Sequence, residues 1–416
     1  MAERGGAGRR SATTMIVGQL IGQLSLVVAI PILTRIFTPA EMGVYQIATA
    51  VALILQPLAS LRLEFYIPLV PDQHVLRRYI RIGYLSTSAV ALVAAIVGLL
   101  LLSTGNATAA ETATMVGFII AAYAWMNLDN ARLIRTGEHG RLALRNAVSG
   151  LLAAGLQLVA AVFLHSVLAL AIAILIGRAI SILATRPRSG GVAASQTGTS
   201  APALTPRRIA LAVGSGVVWT ASMQAITIVS GATFGTAASG YVGVAQRVAG
   251  APIALIGQAL SQIVQGGAAA AIRANKPTVA LILRKQVVRL GGVAVLMAVG
   301  LIVLAPLLAV PVFGPGWETA GTVTAILAVP MSLQLIVAPI TPLLPMLARE
   351  GLLFSLQLMR LLLVVVVCGA MIASGAGLIA TCIAFAIVTT VAYAIMVSVL
   401  LVVARGHDRR IVEACE

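Results

Sequence analysis

The residues of this chain whose types and spacing could do chemistry are polar side chains set inside long apolar runs. Arg247, Gln258, Gln262 and Gln265 follow one another at intervals of 11, 4 and 3 residues. At about 100° per residue they share roughly a 60° sector of one helix. Tyr45, Thr49, Gln56 and Ser60 form a similar face, and Gln19 and Gln23 stand one turn apart. Such rows either hydrogen-bond neighbouring helices or line a hydrated path. For the glutamines and threonines both readings stay open. Arg247 has no acidic residue at helical spacing, so its better reading is a cation that receives an anionic group.

Acidic residues are fewer. Arg62 and Glu64 close an apolar segment, LRLEFYIPLVP. There the long side chains can snorkel to water, and residues two apart on a helix do not face each other. They are expected not to pair directly, each being free to partner another helix. Asp129 is the deepest carboxylate, a candidate for coupling or gating together with Glu64. Three residues from Arg132, it is better read as half of a local salt bridge. Asn127 and Asn130 lie on the same stretch, one turn apart.

Other chemistry lacks its residues. There is no P-loop to cradle nucleotide phosphates. His74, His139, His165 and His407 are scattered without metal-ligand spacing, and Cys368, Cys382 and Cys415 show no redox or metal pattern. Paired acids in an early outward loop, which a lipid-sugar glycosyltransferase needs, are missing; only Glu41, Glu111 and Glu318 face that side. The expectation is a non-enzymatic protein without cofactor or metal.

The elements that must position these residues are membrane helices. The chain is 60% hydrophobic and 10% charged over 416 residues, with a mean hydropathy of +1.03. That is too little charge to cover a soluble protein of this length. The net charge of +16 comes with only 4% aromatics, so basic loops facing lipid headgroups explain it better than nucleic acid. Runs able to cross about 30 Å of hydrocarbon recur about twelve times, at 13–35, 42–63, 80–103, 112–134, 142–164, 166–185, 209–234, 239–264, 281–308, 319–344, 352–373 and 376–403. They must be helices, since the alternation a barrel needs is missing. The first run is too long for a signal-peptide core.

Arginines and the two lysines, Lys276 and Lys285, fall in alternate loops and at both ends of the chain. The intervening loops, such as STGNATAAET and FGPGWETAG, hold none. This bias places both termini and every basic loop in the cytoplasm. A Gly/Ser/Thr/Pro-rich linker at 186–208 reads as flexible and separates an N-terminal six-helix lobe, 1–185, from a C-terminal one, 209–416. TPAEMGVYQIATAV echoes GTAASGYVGVAQRV, with Gly43 over Gly240 and Ala48 over Ala245. Two like-oriented halves suggest a transporter whose path opens alternately to each side.

The segment ILTRIFTPAEMGVYQIATAVALILQPLASLRLEFYIPLVP resembles the N-terminal signature of Wzx-type polysaccharide flippases, and GYVGVAQRVAGAP resembles their second-half pattern. The match is concentrated in helices one to two and seven to eight. The resemblance implies the fold of the multidrug/oligosaccharidyl-lipid/polysaccharide (MOP) exporter superfamily: all-α, integral to the membrane, with a MATE-like pseudo-twofold repeat. It implies flipping of an undecaprenyl-diphosphate-linked oligosaccharide across a bacterial plasma membrane, serving surface polysaccharides such as O-antigen or exopolysaccharide. It also implies polymerase or export proteins as partners. Arg35, Arg62 and Arg247 match the family motifs by position and Glu64 matches their acidic member. With Gln23, Gln56, Gln258 and Gln262 they make the expected substrate-binding set. Tyr66 departs from the family's usual Ala, which bears on substrate specificity. A drug or cation antiporter of the superfamily usually carries a buried acid in its first helix, where this chain has Gln19 and Gln23. Lipid II flippases generally have two more helices. A major facilitator would need a loop that DQHVLRRYIRIG does not match. A non-transporting membrane component of an assembly complex is the remaining alternative.

Overall fold

A computed structural model describes residues 2–70, 72–186, 205–273, 276–347 and 349–413; side chains are described in these except at 2–16, 69, 254–270, 272–273 and 345. Twelve long helices run through them and no strand occurs. In order they are α1 (Ala2–Ile36), α2 (Pro39–Ala59), α3 (Gln73–Ser103), α4 (Ala107–Thr136), α5 (His139–Leu164) and α6 (Val167–Ala184), then α7 (Pro206–Phe234), α8 (Thr236–Arg273), α9 (Val279–Phe313), α10 (Glu318–Ile340), α11 (Glu350–Ala373) and α12 (Leu378–Glu413). A single helical turn, Leu343–Met346, follows α10. Among the described residues eleven of the twelve, all but α8, are long and apolar enough to cross a membrane. This is a multi-pass membrane protein. The chain divides into two compact units, Met1–Gln224 and Ala225–Glu416, with the boundary inside α7.

In the first unit α4 is the hub, packed by α2, α3 and α6, while α5 packs on α1 and α6. In the second, α10 holds the same place six helices later, packed by α8, α9 and α12. Lipid and protein interior are equally apolar, so close backbone approach rather than water exclusion must hold such helices. The GQLIG stretch of α1 supplies it. A Cβ on Gly18 or Gly22 would overlap the backbone of Ala143 or Asn146 in α5, and one on Gly150 would overlap Gly22. In the other unit a Cβ on Gly321 of α10 would lie 2.8 Å from the carbonyl of Ala305 in α9. The outer helices turn ridges of leucine outward, Leu85, Leu92 and Leu99 on α3 and Leu296 and Leu307 on α9, each more than half exposed to the acyl chains.

Local sequence sets the helix ends. Thr38 caps α2 in a reciprocal box: its Oγ1 accepts from the Glu41 N–H at 3.3 Å, and Glu41 Oε2 accepts from the Thr38 N–H at 2.8 Å. Helix α8 begins at Thr236, opposite Pro39 in the register that sets Gly43 over Gly240, and both glycines are buried. Helix α9 is capped from far away. Asp408 in α12 accepts from the N–H groups of Val279 at 3.1 Å and Ala280 at 2.9 Å. Cys368 and Cys382 are free and buried in the second unit's core; Cys415 lies outside the described residues.

Two expectations fail here. The second helix was expected to reach residue 63, but it stops at Ala59. Leu61 and Arg62 then take left-handed backbone angles, φ 51° and 54°, and two 3-10 turns follow, Leu63–Phe65 and Ile67–Leu69. Because these residues are not on an α-helix, Arg62 and Glu64 do meet, Nη1 to Oε1 at 3.9 Å.

Candidate functional site

The elbow after α2 brings three of the expected site residues together. Ser60 ends the helix. Its Oγ accepts from the backbone N–H of Arg62 at 3.2 Å and from Gln56 Nε2 at 3.4 Å. Thr87 of α3 donates to the carbonyl of Ala59 at 3.1 Å, which satisfies one of the open carbonyls at the helix end. Leu63, Ile67 and Val70 are buried against Leu76, Leu128 and Ala131, and this packing holds the strained backbone in place.

The Arg62 guanidinium lies 5.0 Å from the centroid of the Phe65 ring. It also rests on Gly216 in the first half of α7, so closely that any side chain at 216 would displace it; both residues belong to the first unit. Burial lowers the pKa of Arg62, with Glu64 acting against the shift. Burial likewise raises the Glu64 carboxyl above its usual range, against the opposing pull of a backbone hydrogen bond, Arg62, Ser60 and Gln56. Glu64 Oε2 is buried without a hydrogen-bond partner. The elbow is thus a half-buried cation beside a carboxyl group whose pKa burial raises.

Asp129 sits in a different kind of site. It is 1% exposed and Arg145 of α5 is fully buried. Arg145 Nη1 approaches Asp129 Oδ2 at 2.6 Å and Arg132 Nη1 approaches Oδ1 at 2.7 Å. Arg145 also donates through Nε to Thr185 Oγ1 and through Nη2 to the Thr185 carbonyl, both at 2.7 Å. Tyr84 of α3 reaches Oδ1 at 3.5 Å. One carboxylate thus joins helices α3, α4 and α5, with Thr185 at the end of α6. Protonating it would strand two guanidiniums, so the geometry favours a structural bolt over a proton carrier. Close by, Arg135 Nε donates to the Val70 carbonyl at 3.0 Å and ties α4 to the elbow.

The remaining expected residues lie on other helices. Arg35 is exposed in the last turn of α1, and Gln23 is half-buried twelve residues earlier. The whole of α2 separates Arg35 from Arg62, about 30 Å at 1.5 Å per residue. Arg247 is half-buried in α8; its neighbour Gln246 accepts from Thr227 of α7 at 2.9 Å. Gln258, Gln262 and Gln265 fall on the backbone of α8 with side chains outside the described residues. Three arginines inside apolar runs were passed over: Arg145, Arg178 and Arg360. Arg360 of α11 is 2% exposed and donates to Tyr393 Oη of α12 at 3.0 Å. Their signal was present in the sequence, because any cation inside a span invites the question put to Arg247.

Residues 32–322 match the family described as polysaccharide biosynthesis protein. No curated protein matches the chain in sequence. Among solved structures, a mutant of the Vibrio cholerae MATE transporter VcmN superposes with a TM-score of 0.61 at 16% identity, over 94% of this chain and 95% of that one. A MATE protein in the bent conformation gives 0.56 at 14%, over 97% and 96%. A MOP superfamily transporter from Pyrococcus furiosus gives 0.54 at 14%, over 96% of each chain. The fold is that of the MATE transporters, in keeping with the resemblance to Wzx-type flippases. With more than half its length matched, the chain belongs to the polysaccharide biosynthesis protein family.

Proposed function

We propose that the protein flips a lipid-linked oligosaccharide, its diphosphate included, from the inner to the outer leaflet of a bacterial plasma membrane by alternating access. The observation that carries the reading is the coincidence of a polysaccharide-biosynthesis family match with a transporter fold over the whole chain. The termini and basic loops lie in the cytoplasm, following the distribution of Arg and Lys. The protein moves its substrate without altering it and hands it to polymerase or export proteins outside.

Each unit offers cations for the anion. In the first unit Arg62 stands in the elbow just past the basic-loop end of α2 and Arg35 at the opposite end of the α1–α2 pair; in the second, Arg247 lies partway along α8. Each can take a phosphate by two parallel hydrogen bonds, with Gln23, Gln56, Gln258 and Gln262 as neutral partners. Glu64 beside Arg62 is the gate: when protonated it leaves the guanidinium free for phosphate, and when ionised it competes.

Complementation of a strain lacking its O-antigen flippase tests this. Wild type restores surface glycan, and Arg62→Ala and Arg247→Ala at matched expression each lose about tenfold or more, the worth of one charged hydrogen bond. Wild type that inserts correctly and still restores nothing, with every repeat unit tried, refutes the flippase.

A further inference from the structure

The first turns of α9 turn cations outward. Arg284, Lys285 and Arg289 are all exposed, as is Arg405 near the end of α12. Among the described residues none of the four pairs with a carboxylate. The described acids at this end of the second unit are Asp408, Glu413 and Glu350. Asp408 is engaged by the amides of Val279 and Ala280, and Glu413 by Arg409 at 2.7 Å. Glu350 opens α11, which packs on α12. Lys285 and Arg289 stand one turn apart, where like charges repel unless an anion joins them.

The Asp408 contact also fixes the register of α9 against α12, which pack on each other. Measured from it at 1.5 Å per residue, Arg405 lies about 4.5 Å along its helix, Arg284 and Lys285 about 7–8 Å along theirs, and Arg289 about 14 Å. The same depth on α12 falls in VSVLLVVA, 397–404, which holds no charge. Arg289 is thus an exposed cation at the level of apolar surface, a costly place for charge without a counter-anion. Leu281, Val288 and Leu296 share the face of Lys285 by helical spacing, and each is more than half exposed, as is Val402 of α12. Whatever covers this surface is anionic at the level of Lys285 and apolar along Leu296. A lipid meets both demands at once, whereas an acidic protein segment answers only the cations.

We infer that Arg284, Lys285 and Arg289 of α9, with Arg405 of α12, form a binding site for the headgroup of an anionic phospholipid of the surrounding bilayer. Its acyl chains lie along Val288, Leu296 and Val402. The guanidiniums take the phosphate oxygens in pairs, and Arg289 reaches up to the phosphate from below. The site belongs to the second unit alone and does not depend on what the protein transports.

Native mass spectrometry of the full-length chain in detergent tests it, with phosphatidylglycerol, cardiolipin and phosphatidylcholine as probes. Wild type is expected to retain either anionic lipid several-fold better than phosphatidylcholine. The double substitution Lys285→Gln with Arg289→Gln is expected to lower that retention several-fold. The control, Arg77→Gln with Arg78→Gln, removes two exposed cations at the start of α3 and should leave it unchanged. Equal retention of phosphatidylcholine, no effect of the α9 substitutions, or an equal effect of the control each overturns the inference. Wild type that retains no anionic lipid overturns it too, and returns the patch to an acidic protein partner. Photolabelling of wild type by a diazirine-tailed phosphatidylglycerol locates the lipid without any variant. Label is expected on α9 between Val288 and Leu296, and label confined to other helices refutes the site.

Discussion

Asp129 holds two guanidiniums of unequal standing. Arg145 is fully buried, whereas the Arg132 side chain is 36% exposed. Breaking a buried pair leaves an uncompensated charge, so Arg145→Ala is expected to destabilise by about 3–5 kcal/mol. Arg132→Ala removes a partner that water can replace, and is expected to cost under about 1 kcal/mol. Denaturant unfolding in detergent separates them, and equal losses would end the bolt assignment. At Glu64 the sign is set by burial. A carboxyl raised above its unfolded value holds its proton more firmly in the fold. Its stabilising contribution is complete below the ordinary carboxylate range and disappears as pH climbs through the raised value. Thermal stability of wild type should therefore fall across that window, while Glu64→Gln stays flat; parallel profiles would show that Glu64 does not titrate there. Neither partnership was legible in the sequence. Asp129 and Arg145 are sixteen residues apart across a helical hairpin, and only packing shows that they meet. Arg62 and Glu64 pair because of two left-handed residues, Leu61 and Arg62, at which no glycine or asparagine signals the turn.

Helix existence and most helix ends, by contrast, follow from local rules. The TPAE box marks the start of α2, and the register of the internal echo places the start of α8. The close approach of α1 and α5 was in plain view as GQLIG, although its partner face on α5 was not. A branched side chain at that crossing has nowhere to go. Gly150→Val is expected to destabilise by about 1–3 kcal/mol through overpacking, whereas Gly155→Val on the same helix, with open space around it, should cost well under 1 kcal/mol. Temperature-dependent aggregation of purified variants reads the difference, and a similar loss at both positions would mean the crossing is loose. Asp408 escaped notice because a cap in another helix, 129 residues away from the N–H it serves, leaves no local pattern. Asp408→Ala should weaken α9 by about 1 kcal/mol, seen as faster hydrogen exchange at Val279 and Ala280.

At the scale of the molecule, composition and the charge bias of the loops carry most of the architecture: membrane class, helix number and repeat. The hubs α4 and α10 lie beyond such reasoning, since hydropathy cannot tell an enclosed apolar helix from a lipid-facing one. Orientation is directly testable. Single cysteines placed at Arg141 and at Gly316, in a chain freed of its own cysteines, should label from opposite faces of the membrane, with Arg141 on the cytoplasmic side; labelling from one face would overturn the topology. The distant cap on α9 bears on how the protein is made. Ribosomes release α9 long before α12, so the first turn of α9 waits at the basic-loop end, its amides served by water, until the last helix supplies the cap. This cap is therefore the last to arrive, and an arrested or truncated chain lacking residue 408 leaves the start of α9 uncapped, 129 residues away.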